Sequence, residues 1–301
     1  MKAIVLTAYG DVDKLELREV PDPKAGAGEV KVKVAAAALN PVDWKLRSGA
    51  LKAMMPLQLP AVLGRDLSGT VLEVGPGVTR FKAGDKVIGL VNGGYAEQVV
   101  ASEEAFAQLP GGLDLRDASA LPLVSLTGAQ LIEEAARPAK GERVLITGAV
   151  GGVGRAAVYA AKKLGARVIA GVRARQKGEA ERLGAEQVVA IDDDAAIAAL
   201  PQVDAVADTV GGETIAKLIP KIRKGGALGT VVGEPAAARG RDLRVRGFMA
   251  HADPARLRAL AEAAARGELT IPVEKRLPLA QAREAQKLAE RGGVGKVLLI
   301  P

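Results

Sequence analysis

Hydrophobic and polar positions fall into two regimes along the chain. Up to about Ala120 the apolar runs are short or alternating, and glycine and proline separate them. Lys2 to Thr7, Leu15 to Val20, Glu29 to Ala35, Ser68 to Val74, Lys86 to Leu90 and Tyr95 to Val100 read as strands. Pro21-Asp22-Pro23 and Gly75-Pro76-Gly77 have turn composition. A helical pattern from about Leu126 to Ala136 leads into the next part. From Arg143 strand-length apolar runs alternate with helical patterns, with strands near 143–147, 166–172, 187–191, 203–208, 227–232 and 243–249. That alternation predicts an α/β fold, a doubly wound parallel sheet preceded by a β-rich part. Two more helices, Pro254 to Ala265 and Leu277 to Gly292, and a last strand, Lys296 to Ile300, are expected after it.

One stretch limits the chemistry more than any other. Arg143-Val144-Leu145 is followed by Ile146-Thr147-Gly148-Ala149-Val150-Gly151-Gly152-Val153-Gly154 and then by an alanine-rich helical run. Strand, glycine turn and helix start follow one another, as at a dinucleotide pyrophosphate site. Glycines let the backbone approach the phosphates, and the helix N-terminus offers free N–H groups to them. The spacing is not the strict G-x-G-x-x-G. Ala156, Ala157, Ala160 and Ala161 allow the helix, about Val153 to Leu164, to pack closely on a sheet. Gly148, Gly151, Gly152 and Val153 are therefore candidate phosphate-binding residues.

The residues past the second strand of such a unit select the cofactor. An acidic residue there accepts hydrogen bonds from the ribose 2′-hydroxyl of NAD, whereas basic residues suit a 2′-phosphate. This chain has Arg173, Arg175 and Lys177, and its first acid there is Glu179. NADPH is expected over NADH. Thr209, Val210 and Gly211 follow the fourth strand and Val232 and Gly233 the fifth, at the carboxyl edge where such sheets bind ligands. Phe248 and Met249 either flank the nicotinamide or belong to the core of the sixth strand.

Composition removes several alternatives. Of 301 residues 49% are apolar, enough for two domains with a sizeable core. The chain has no cysteine, and its only histidine is His251. A zinc site needs three or four convergent Cys, His or carboxylate ligands, so no metal site is expected and His251 reads as a surface or loop residue. The net charge of +7 comes from cations spread along the chain, and aromatics make up 2% of residues. Neither feature suits a nucleic-acid platform. Met1 to Leu6 reads as a first strand, no run reaches membrane-span length, and a cytoplasmic location is expected.

Several ordered blocks carry a resemblance over nearly the whole chain. They are Leu39-Asn40-Pro41-Val42-Asp43-Trp44-Lys45, Leu63-Gly64-Arg65-Asp66, Val74-Gly75-Pro76-Gly77-Val78, Phe81-Lys82-Ala83-Gly84-Asp85-Lys86-Val87 and Gly94-Tyr95-Ala96-Glu97. Leu121-Pro122, the glycine turn, Asp208-Thr209-Val210-Gly211-Gly212 and Gly295-Lys296-Val297 complete the set. The sequence resembles the zinc-independent medium-chain dehydrogenase/reductase superfamily, in its NADPH:quinone oxidoreductase, or zeta-crystallin-like, branch. Zinc-dependent relatives carry a cysteine ligand near Asp43, Gly-His-Glu near Gly64-Arg65-Asp66 and sometimes a cysteine-rich lobe after Leu90, all absent here.

The resemblance implies a GroES-like β-rich catalytic domain, 1–121 and 268–301, and a Rossmann domain, 122–267. It implies a homodimer or homotetramer, a small-molecule quinone or enone substrate and no metal. It also implies that Asn40 lies beside the nicotinamide ribose and the acceptor, and that the Thr127 hydroxyl reaches the nicotinamide end. Lys45 stands where many quinone oxidoreductases have tyrosine, and Asn-Pro-Val-Asp-x-Lys looks more like the enone and 2-alkenal reductase branch. Two departures are the missing tyrosine near Ile191 and a shortened segment between Gly233 and His251. The expected activity is NADPH:quinone reduction. The alternatives are enone or 2-alkenal C=C reduction, and a non-catalytic NADPH- or RNA-binding protein.

Overall fold

A computed structural model describes residues 1–293 and 295–301. The first part begins with β1 (Lys2–Leu6), β2 (Leu15–Glu19) and the long β3 (Glu29–Ala38). In β3, Val30, Val32 and Val34 are buried while Lys31 and Lys33 face outward, the alternation of a half-buried strand. The short helix α1 (Pro41–Ser48) follows, then β4 (Ala61–Val62), β5 (Asp66–Val74), β6 (Lys86–Leu90), β7 (Gln98–Ser102) and β8 (Phe106–Gln108). β1 pairs antiparallel with β2 and β4. β3 pairs antiparallel with β5, β5 with β6, and β6 with β8.

The second part opens with α2 (Pro122–Gln130), which continues as a π-helical turn over Leu131–Ala136. The helical run therefore starts four residues before the Leu126 predicted from sequence, because Pro122 suits a first helical turn. Next come β9 (Arg143–Thr147), α3 (Gly152–Lys163), β10 (Arg167–Val172), α4 (Lys177–Glu181), β11 (Gln187–Ala190), α5 (Asp194–Ala199), β12 (Val203–Asp208), α6 (Gly212–Leu218), β13 (Ile222–Thr230) and β14 (Leu243–Gly247). All six strands are parallel, in the order β11-β10-β9-β12-β13-β14. The chain winds outward one way from β9 and the other way from β12, so the topological switch lies between them. Leu145, Ile169, Val206 and Leu228 from the sheet pack with Ile215 and Leu218 of α6, and the four alanines of α3 are buried.

The chain ends with α7 (Pro254–Ala265), β15 (Val273–Pro278), α8 (Ala282–Arg291) and β16 (Lys296–Ile300). The region Leu277 to Gly292, expected to be one helix, is the end of a strand, a turn and a shorter helix. Pro278 lacks the N–H a helix interior needs, and Leu277 finds a partner in Leu299 of β16. β16 pairs antiparallel with the Ala37–Ala38 end of β3, and β7 takes the Glu29–Lys33 end. The ten-residue length of β3 lets its two halves hold different neighbours.

Two compact units result, Met1–Leu123 with Ala252–Pro301, and Val124–His251. The sequence grouping put α7 with the nucleotide part and resumed the first domain at 268. Instead α7 packs against β8, through a face that buries Leu257, Leu260 and Ala261. The core of the first unit joins Ile4, Val32, Leu67, Tyr95 and Phe106 to Leu279, Ala285 and Leu299 from the chain's end.

Candidate active site

The carboxyl edge of the parallel sheet carries most of the residues predicted to bind a cofactor. Gly148 follows β9 with φ +64°, and a Cβ there would lie 2.6 Å from Thr209 Oγ1. Gly154 packs against the backbone of the same turn, where a Cβ would sit 2.7 Å from Ala149 Cα. Gly151 caps α3 without any side-chain acceptor. The N–H groups of Gly152 and Val153 thus belong to a first turn with no intrahelical partner, the arrangement that holds anionic groups.

A buried carboxylate organises the loops around the switch. Asp208 ends β12 and is fully buried. It accepts hydrogen bonds from Thr147 Oγ1 (2.8 Å), Val210 N (3.1 Å), Gly211 N (3.0 Å) and Thr230 Oγ1 (3.1 Å). Thr209 N donates to Thr147 Oγ1, and Thr209 Oγ1 donates to Thr147 O. Val232 N donates to Thr230 Oγ1, whose single proton lies within reach of both Asp208 Oδ2 and Gly233 O. The ends of β9, β12 and β13 are joined by one polar cluster. Thr209–Gly211 and Val232–Gly233 are therefore placed together.

Beyond β14 the sequence expectation needs correction. That strand ends at Gly247, so Phe248 and Met249 are not core residues of it. Phe248 N still donates to Thr230 O, which holds the segment at the same edge. Met249, Val210 and Val232 expose large apolar side chains there, a surface that suits a bound organic ligand. Arg173, Arg175 and Lys177 follow β10, are exposed, and their side-chain charges form no ion pair among the described residues. Thr127 is 7% exposed and lies in the second turn of α2, not at the helix start expected from sequence. His251 is exposed in a loop, its backbone held by the buried amide of Gln130.

The first unit contains a polar cluster that the sequence reading did not assemble. Asn40 begins α1, and its N donates to Asp43 Oδ2 at 2.8 Å. Its side-chain Nδ2 donates to Asp66 Oδ2 (2.8 Å) and Ala38 O (3.3 Å), and its Oδ1 accepts from Lys296 Nζ (2.7 Å). Both amide hydrogens are thus used inside the unit. Lys296 Nζ also donates to Leu39 O and lies 3.4 Å from Asp66 Oδ2. Asp66 Oδ1 accepts from Leu123 N, and Tyr95 O–H donates to Asp43 Oδ2 at 2.7 Å. Lys45 is one turn along α1 from Asn40 and partly exposed, and its ammonium bonds no other described residue.

Comparisons with known proteins place this geometry. The profile described as "Alcohol dehydrogenase GroES-like domain" matches residues 26–111, and the one described as "Zinc-binding dehydrogenase" matches 183–299. A chloroplast envelope quinone oxidoreductase homolog of Arabidopsis thaliana is 38% identical over 63% of this chain, which spans only 60% of that protein's length. The quinone oxidoreductase of Pseudomonas aeruginosa is 32% identical over 100% of this chain and 99% of its own. The chain belongs to the quinone oxidoreductase family of the medium-chain dehydrogenase/reductase superfamily. The solved quinone oxidoreductase from Coxiella burnetii agrees, with a TM-score of 0.90 and 32% identity over 100% of this chain and 99% of that one.

Within this quinone oxidoreductase family one profile's description names zinc, so the donor set matters. Among the described residues no group of three or more His, Cys, Asp or Glu is placed to hold a metal ion. Asp43 and Asp66 are both bonded to Asn40, through its N and its Nδ2, and Asp66 is already ion-paired with the Lys296 ammonium. Those residues do not fit zinc.

Charge in the cluster balances if Asp43 keeps its proton. Burial pushes its carboxyl up to about 7, against the hydrogen bonds from Tyr95 and Asn40 N. Burial also raises Asp66, opposed first by Lys296, and it lowers Lys296, opposed first by Asp66. Asp43 Oδ2 takes both hydrogen bonds, while Oδ1 has no partner and is free to carry the proton. A carboxyl raised on folding binds more protons folded than unfolded, so its contribution falls as pH rises from the unfolded value near 4 through 7. Asp43→Asn, which puts an N–H₂ at the unpartnered position, should therefore gain stability relative to the parent between pH 5 and 8. Urea titrations across that range check it, and a pH-independent difference between the two proteins would refute the assignment.

Proposed function

We propose that the protein is an NADPH-dependent, zinc-independent reductase that transfers hydride to a quinone. The observation that carries the cofactor choice is the set of cations Arg173, Arg175 and Lys177 just past β10, which form no ion pair among the described residues. The names of the relatives that match along the chain support the acceptor class. Gly152 and Val153 N–H groups hold the diphosphate, with Gly148 and Gly151 keeping the turn open to it. Thr209–Gly211 and Val232–Gly233 supply backbone groups along the cofactor, and Phe248 and Met249 an apolar wall. Thr127 offers its hydroxyl at the nicotinamide end. The dihydronicotinamide, when bound, supplies the hydride.

Negative charge develops on the acceptor oxygen as hydride arrives, and a donor aimed at that oxygen lowers the barrier. Lys45 is assigned that role because its ammonium bonds no other described residue. Asn40 takes a positioning role instead, since its amide is consumed by Asp66, Ala38 and Lys296. The same free ammonium favours one second reading, reduction of an enone or 2-alkenal, where an enolate needs a cation. Steady-state NADPH oxidation with 1,4-benzoquinone, 9,10-phenanthrenequinone and 3-buten-2-one separates the two. Quinone turnover with NADPH preferred over NADH supports the proposal. Turnover of the enone alone replaces it with the second reading, and no turnover with NADPH bound leaves a non-catalytic binder.

The cation cluster makes its own prediction. Arg173→Ala should raise KM for NADPH about tenfold, the loss of one charge-assisted contact to a phosphate, and leave KM for NADH within about twofold. Equal effects on both cofactors would remove the 2′-phosphate role.

A further inference from the structure

One carboxylate bonds the loop that follows β10, and a second stands just beyond that loop on α4. Asp192 accepts a hydrogen bond from Ala174 N at 2.8 Å. Glu179, in the first turn of α4, is ion-paired with Arg155 Nη2. The Arg155 side chain is only 11% exposed, and its Nε donates to Val150 O at 2.9 Å. One guanidinium therefore joins the glycine turn to α4, and it neutralises the acid two positions beyond Lys177. The planar guanidinium presents Nε and Nη2 in fixed, diverging directions, so one side chain holds the Val150 carbonyl and the Glu179 carboxylate.

We propose that Arg155 is a specificity-determining positioning residue that ties the Glu179 carboxylate back toward the glycine turn, so that Arg173, Arg175 and Lys177 present uncompensated positive charge to a 2′-phosphate. This rests on the NADPH reading above. Without Arg155 the carboxylate is released among those three cations. It then competes with a 2′-phosphate for them, whereas the uncharged ribose 2′-hydroxyl of NADH makes no such demand on the cations. Arg155 lies in the glycine-turn helix, 18 positions before Arg173, so its effect on the 2′ end runs through Glu179.

The test is a double-mutant cycle on the full chain, read as Kd for NADPH and for NADH by calorimetry. Arg155→Met should weaken NADPH about fivefold to tenfold, the scale of one added like charge at partly screened distance, and change NADH by less than about twofold. Glu179→Gln in the Arg155→Met background should return NADPH affinity to within about twofold of the parent. Equal losses for both cofactors, unrelieved in the double variant, would overturn the proposal and leave Arg155 a brace for Val150. If Arg155→Met does not fold, Arg155→Gln, which keeps an N–H donor and removes the charge facing Glu179, is run through the same cycle and read by the same criteria. A parent protein that binds both cofactors alike overturns the NADPH reading and this proposal together. NADPH preference in the parent without Arg155–Glu179 coupling overturns this proposal alone.

Discussion

Gly154→Val is expected to weaken NADPH binding about a hundredfold or more, because displacing a ligand-holding turn by about an ångström has consequences of that order. A Cβ at 154 would overlap Gly148 O and lie 2.8 Å from Gly148 C, and both are backbone atoms of the turn itself. No side chain can swing aside to make room. The turn must open, and the N–H groups of Gly152 and Val153 lose their common direction. Overpacking of this kind also costs about 1–3 kcal/mol of stability. Calorimetric NADPH titration beside a thermal melt checks both parts. A variant that binds NADPH like the parent would show that the helix N-terminus does not hold the diphosphate.

Lys296→Met should destabilise the protein by about 3–5 kcal/mol, the usual cost of breaking a buried ion pair from one side. The change leaves Asp66 fully buried without a cation, and it strips Leu39 O and Asn40 Oδ1 of a donor. Lys296→Met with Asp66→Asn should recover a large part of that loss, since no charge then remains unpaired. The pH dependence has a definite sign. Without the ammonium, Asp66 rises further above its unfolded value, so the deficit should be smaller at pH 5 than at pH 8. Equal deficits at both pH values, or no recovery in the double variant, would show that the pair is not the source.

These two positions differ in how visible they were beforehand. Gly154 sits in a nine-residue stretch whose strand, turn and helix follow from adjacent residues. Its role in the turn could be inferred locally, as could the cation run after β10 and the loops after β12 and β13. Lys296 and Asp66 were noticed only as parts of family blocks. A usable signal existed, since each is a charged residue bordering an apolar strand, Lys296 before Val297-Leu298-Leu299 and Asp66 before Leu67. Such residues are rarely buried unless paired. Pairing could not be deduced, because the partners are 230 positions apart.

The errors have the same origin. Leu277 was read with the helix that follows it, although its pairing with Leu299 makes it strand. α7 reads as an amphipathic helix from any sequence window, but only packing against β8 decides which unit it joins. Asn40 was expected beside the nicotinamide through the resemblance alone, and its amide partners Asp66 and Lys296 are distant in sequence.

By itself, then, the sequence determined the alternation of strands and helices, the glycine turn and the basic run after β10, and the absence of thiols. Each is expressed within a window of a few residues, where backbone sterics, hydrogen bonding and periodic burial act. Only the tertiary structure decided that Asp208 joins three strand ends, that Arg155 holds Glu179, and that Asn40, Asp43, Asp66, Tyr95 and Lys296 form one cluster. Those arrangements depend on burying polar groups that must find partners across the fold, and which partner lies within reach is settled by packing.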